Sequence, residues 1–123
     1  MDADQWDTYD DVDTREVYCS SRTLRQHEGD IRALAIDEPM KDKVLQLLDG
    51  MDQETISSIN VRLFAVGYML HVISGANGGV VNDGHLEQCY DVIRHRCLDK
   101  DRHMVIRNIV KYMMYVRHIL GVL

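Results

Sequence analysis

Histidine and cysteine residues in the second half of the chain have spacings that would bring metal ligands together. His85 and Cys89 are four residues apart and share one face of a helix. His95 and Cys97 are two apart and point to different sides, whereas a structural zinc site needs four ligands, usually in regularly spaced pairs. Both cysteines also fall on an apolar stripe, where free cysteine is a common buried residue. The pattern favours cysteines buried in the core. A metal-binding domain built on His85 and Cys89 ranks third, after the two interpretations given at the end of this subsection. No metal and no cofactor is predicted.

The sequence shows no complete set of catalytic residues. A nucleophile needs a neighbouring base and an orienting carboxylate, but Glu87 points away from the face that the His–Cys pair shares. His71 lies in the most apolar helical segment, where a half-buried, hydrogen-bonded histidine is expected. The glycine-rich segment 75–84 follows a helix and lacks the Lys and Ser or Thr of a phosphate-binding loop. The sequence therefore predicts no enzymatic activity, no catalytic residue and no small-molecule substrate.

Charge changes sign along the chain. The 123 residues hold 14 Lys and Arg against 20 Asp and Glu, a net charge of −6. Residues 1–16 carry seven acidic side chains and one arginine, whereas residues 94–123 carry seven Lys and Arg against two Asp. Such asymmetry indicates interaction through the two ends of the chain.

The acidic end has too few apolar residues to fold by itself, so residues 1–20 are predicted to form a disordered or extended acidic arm. A single helical domain is predicted over 21–123, because the length suits one hydrophobic core. The candidate docking groups are of two kinds: apolar residues three apart in the arm, and basic residues in the last helix. The predicted partner-binding residues are Trp6, Tyr9, Val12, Arg107, Lys111 and Arg117.

Helical periodicity accounts for most of the chain after residue 36. A helix is predicted over 38–49, with Asp37 as its cap, Pro39 in the first turn and Gly50 as its stop. A second helix is predicted over 53–74, capped by Asp52. Its apolar residues recur every three or four positions, which makes it the candidate core helix. They are Ile56, Ile59, Leu63, Val66, Leu70 and Ile73.

The remaining segments leave alternatives open. Residues 21–36 are ambiguous, with a short helix over 21–28 as one interpretation. Helices are predicted over 85–98, capped by Asp83, and from Asp99 or Asp101, as the cap, to about 120, or else as one long kinked helix. Because period-2 alternation is lacking, we predict an all-α fold, a small bundle of three to five helices.

Composition also bears on the compartment. An odd cysteine count at wide spacing does not indicate a disulfide framework, so a reducing intracellular compartment is predicted: cytoplasm, nucleus or virion. The acidic N-terminus is unlike a secretory signal. The longest segment without Asp, Glu, Lys or Arg, 63–82, is apolar only in its first half, so no membrane span is predicted.

The sequence thus predicts a non-enzymatic protein that acts by protein–protein contact or self-association. A small helical chain with a charged arm and no catalytic set is typical of accessory or structural subunits of larger assemblies, including minor components of viral capsids. The alternative is a nucleic-acid-associated helical factor that uses the same basic helix. The acidic net charge makes nucleic acid the less favoured partner.

Overall fold

The protein is all-α, as predicted. The computed structural model describes residues 24–97 and 100–122, and this part of the chain contains no β-strand. Six α-helices are present there, one more than the upper end of the predicted range. They are α1 (Leu24–Arg32), α2 (Glu38–Asp49), α3 (Gln53–Ser57), α4 (Val61–Gly75), α5 (Asp83–Ile93) and α6 (Arg102–Leu120), with a 3₁₀ turn at Arg94–Arg96.

The helices group into two compact units, one ending at Arg62 and the other beginning at Leu63. The single domain predicted over 21–123 stays a prediction. In the first unit α1 packs on α2, and the ammonium of buried Lys41 links them. Its Nζ donates to the backbone carbonyl of Arg32 at 2.8 Å and to a carboxylate oxygen of Glu38 at 3.0 Å. These bonds compensate the cost of burying a charge.

The helix predicted over 38–49 is confirmed as α2. Pro39 lies in the first turn, where its missing N–H needs no partner. Asp37 holds the N-cap position but its side chain accepts no capping hydrogen bond. Gly50 ends the helix in a right-handed conformation, so its freedom to adopt positive φ is not used.

The helix predicted over 53–74 is in fact two helices. Asp52 caps the first as predicted, since its carboxylate accepts the backbone N–H of Thr55 at 2.7 Å. Ser58 then ends α3 after five residues, because its hydroxyl donates to the carbonyl of Thr55 at 2.9 Å and satisfies a helix end. Asn60, a residue type favoured at helix N-termini, immediately precedes α4. The apolar spacing continues across the break, which explains why the pattern predicts one helix.

The second unit contains most of α4 together with α5 and α6. The α4 and α6 backbones meet at Gly67, where a Cβ atom would lie 2.8 Å from the backbone nitrogen of Met113 and from two atoms of Tyr112. Only glycine permits this approach. Fully buried side chains on the two helices surround the crossing, among them Phe64, Leu70 and Tyr112.

Residues 85–120 form two helices rather than one. Asn82, not the predicted Asp83, caps α5, because its side chain accepts the N–H of His85 while the His85 ring accepts the N–H of Asn82. The Arg94–Arg96 turn then ends the segment. None of the helices in the described ranges is long and apolar enough to cross a membrane.

Candidate functional site

The basic end of the chain is a 19-residue helix, α6, with well-defined ends. Asp101 caps its start, as one of the two predicted alternatives, by accepting the backbone N–H of His103 at 2.8 Å. Gly121 closes its end with a left-handed φ of 76°, the geometry that glycine favours. One side of the helix is buried. Its apolar residues are Val105, Ile109, Tyr112, Met113 and Val116.

The opposite side of α6 carries a row of residues three or four positions apart, which places them along one line of the helix surface. We call this row the α6 face. It consists of Met104, Arg107, Lys111, Met114 and His118. Met104 and Met114 are 41% and 43% exposed. Arg107 and His118 are also exposed, and Lys111 is half-buried.

The α6 face combines apolar and cationic groups on one surface. Methionine is flexible and polarisable, so it adapts to the shape of a partner. Arginine and lysine keep their charge in water while their aliphatic stems cover apolar surface. Such a surface can bind a segment that presents both carboxylates and apolar side chains.

Arg117, the third predicted basic docking residue, lies apart from the other two. It is ten positions after Arg107, about 80° away around the helix axis. Its guanidinium donates to three groups of the second unit: His71 Nδ1 at 3.1 Å, Ser74 Oγ at 2.8 Å and the Gly79 carbonyl at 3.2 Å. Arg117 therefore ties α6 to the end of α4 and to the turn that follows it.

His71 is half-buried and hydrogen-bonded, the environment that the sequence predicts. Its Nδ1 accepts the Arg117 Nε–H. Burial lowers the pKa of His71, and the positive charge of Arg117 lowers it further. The neutral imidazole is thus the form that this site holds.

Cys89 and Cys97 are buried in the core, as predicted. Cys89 is fully buried, and burial raises the pKa of its thiol to about 12. His85, its suggested ligand partner, is engaged in the α5 cap. Within the described residues no group of three or more His, Cys, Asp and Glu side chains is placed to hold a metal ion.

We expect Cys89 to resist alkylation in the folded protein, because the thiolate is the reactive form. At about pH 8, iodoacetamide is expected to modify it only after denaturation, which restores a pKa near 8.5. Peptide mass spectrometry distinguishes Cys89 from Cys19 and Cys97. Native-state labelling of Cys89 at the rate of a free thiol would contradict its burial.

The predicted docking residues are brought together only in part. Arg107 and Lys111 lie side by side on the α6 face, whereas Trp6, Tyr9 and Val12 lie outside the described residues. Sequence reasoning missed the two exposed methionines and His118. The available signal was their spacing from Arg107 and Lys111, which continues the same three-and-four pattern to both sides.

No protein-family model, curated protein or solved structure matches the chain. The chemistry of the α6 face therefore carries the functional argument.

Proposed function

We propose that this chain is a non-enzymatic protein–protein interaction subunit whose α6 face binds an acidic protein segment with apolar side chains. The observation that carries the proposal is the α6 face, on which the exposed side chains of Met104 and Met114 flank exposed Arg107 and half-buried Lys111. A partner that uses the whole face must offer carboxylates to the two cations and apolar side chains to the two methionines. A partner held by charge alone would make no use of the exposed methionines.

A protein partner explains the row better than nucleic acid does. Phosphate binding uses arginine and lysine and gives no role to the exposed methionines of the face. Arg117, which would extend the basic surface, is occupied by hydrogen bonds within the second unit. A segment that presents carboxylates between apolar residues uses both kinds of group on the face.

An accessory or structural role in a larger assembly is part of the proposal, with minor components of viral capsids as one example of such subunits. The buried free thiol of Cys89 supports a reducing compartment: cytoplasm, nucleus or virion. The acidic arm, through Trp6, Tyr9 and Val12, is the second proposed docking element.

Charge reversal on the α6 face tests the proposal. The Arg107→Glu/Lys111→Glu variant is expected to bind a fluorescein-labelled peptide of Asp, Leu and Trp at least about tenfold more weakly, because like charges now oppose each other. Fluorescence anisotropy at low and high salt measures the loss. The matched control is Arg94→Glu/Arg96→Glu, which makes the same charge change at exposed positions outside the face.

Two further variants and probes separate the outcomes. Met104→Ser/Met114→Ser is expected to weaken peptide binding while leaving its salt dependence in place. Equal losses in both charge-reversal variants would mean non-specific attraction and would contradict the proposal. Tighter binding of a labelled oligonucleotide than of the peptide, abolished at Arg107 and Lys111, would instead favour the nucleic-acid alternative.

A further inference from the structure

The chain itself contains a segment with the chemistry that the α6 face requires. We infer that the face binds residues 1–16 of a second copy of this chain, so that copies associate head to tail. The inference rests on the proposed function, because it names the partner of the same surface.

Charge complementarity is the first support. Residues 1–16 carry seven carboxylates and one arginine, whereas the α6 face carries Arg107 and Lys111 on a helix that contains no Asp or Glu. Opposite charges of this kind accelerate encounter and set the orientation of the complex, and their effect weakens with salt.

The distribution of apolar groups is the second support. Trp6, Tyr9 and Val12 recur every three residues among the acids. Met104 and Met114 present thioethers on both sides of the cationic pair, and thioethers make favourable contacts with aromatic rings. The segment therefore matches the face in both of its components.

The face is accessible to a second copy. Met104 and Met114 are more than two-fifths exposed, so a segment of another molecule can reach them. Each copy carries one acidic segment and one α6 face, which are different surfaces. A contact of this kind is heterologous, and it builds open chains or closed rings, the smallest ring being a pair of copies that exchange segments.

Mixing two full-length variants tests the inference. One carries Trp6→Ala/Tyr9→Ala/Val12→Ala in the acidic segment, and the other carries Arg107→Glu/Lys111→Glu in the face. Each alone is expected to be monomeric in sedimentation velocity under conditions where the natural chain associates. Their equimolar mixture is expected to give a species of twice the monomer mass and nothing larger, because it contains one functional segment and one functional face per pair.

The control Arg94→Glu/Arg96→Glu is expected to associate like the natural chain, and circular dichroism confirms that every variant is folded. Self-association of the segment variant at the natural level would overturn the inference. A natural chain that stays monomeric while its face still binds the Asp, Leu and Trp peptide would also overturn it and would leave the proposed function intact. A natural chain that neither binds the peptide nor self-associates would overturn the inference and the proposed function together.

Discussion

The Gly67→Ala variant is expected to be clearly less stable toward urea than the natural chain. Its new Cβ would lie 2.8 Å from the backbone nitrogen of Met113 and from two atoms of Tyr112. Backbone atoms cannot rotate aside as a side chain does, so α4 and α6 would have to move apart. Overpacking of this kind costs about 1–3 kcal/mol, and a rigid helix crossing lies at the upper end.

The size of the effect depends on two opposing terms. Alanine in a helix is about 1 kcal/mol more favourable than glycine, because it restricts the unfolded chain. Separation of the helices also weakens packing around fully buried Phe64 and Tyr112. An overpacking cost of about 3 kcal/mol less a gain of about 1 kcal/mol leaves a net loss of about 2 kcal/mol, out of the roughly 5–15 kcal/mol that stabilises a typical domain.

Gly75→Ala is the matched control, since Gly75 ends the same helix and a Cβ there meets nothing within 4 Å. It is expected to be neutral or to stabilise by up to about 1 kcal/mol. Urea unfolding followed by circular dichroism measures both variants. Equal stability of Gly67→Ala and the natural chain would mean that the two backbones are not in contact.

The Arg117→Met variant is expected to destabilise the protein by about 2–3 kcal/mol. It removes three hydrogen bonds from a charged donor, each of a kind worth about 1.5–3 kcal/mol when made singly and not additive. The retained aliphatic length limits the loss of packing. Arg107→Met is the control, because Arg107 is exposed on the α6 face and is expected to change stability by less than about 0.5 kcal/mol.

The pKa of His71 is a second property that the Arg117→Met variant is expected to change. The pKa of His71 is lowered in the folded protein, so the unfolded chain binds the proton more tightly. The stability that this group contributes is present above about pH 6.5, the ordinary histidine value, and is lost as the pH falls below it. Removing the positive charge of Arg117 is expected to raise the pKa of His71, as followed by NMR. An unchanged titration would show that Arg117 and His71 do not interact.

Sequence patterns predict the helical class and the buried sides of the helices because both follow from local periodicity. The cap at Asp52 was predictable for the same reason, and Asp101 was one of two candidates, whereas Asp37 makes no capping bond and Asn82 takes the place predicted for Asp83. The break after Ser58 was not, because the apolar spacing of Ile56, Ile59 and Leu63 is the same whether or not the backbone is interrupted.

Long-range contacts set the limit on predicting the candidate site. Arg117 resembles Arg107 and Lys111 in type, and only its bonds to His71, Ser74 and Gly79, some forty residues earlier, distinguish it. Gly67 presents the same difficulty, because nothing in its neighbours along the chain indicates the α6 backbone that lies against it.

The crossing at Gly67 also bears on the association rate and the lifetime of the proposed complex. Close backbone contact at Tyr112 and the bonds of Arg117 hold the helix before any partner arrives, so the face needs little rearrangement on binding. Encounter rates then depend on charge, whereas the lifetime of the complex depends on apolar contact. If the proposed complex forms, the cations of the face are expected to govern its rate of formation, and the two methionines its lifetime.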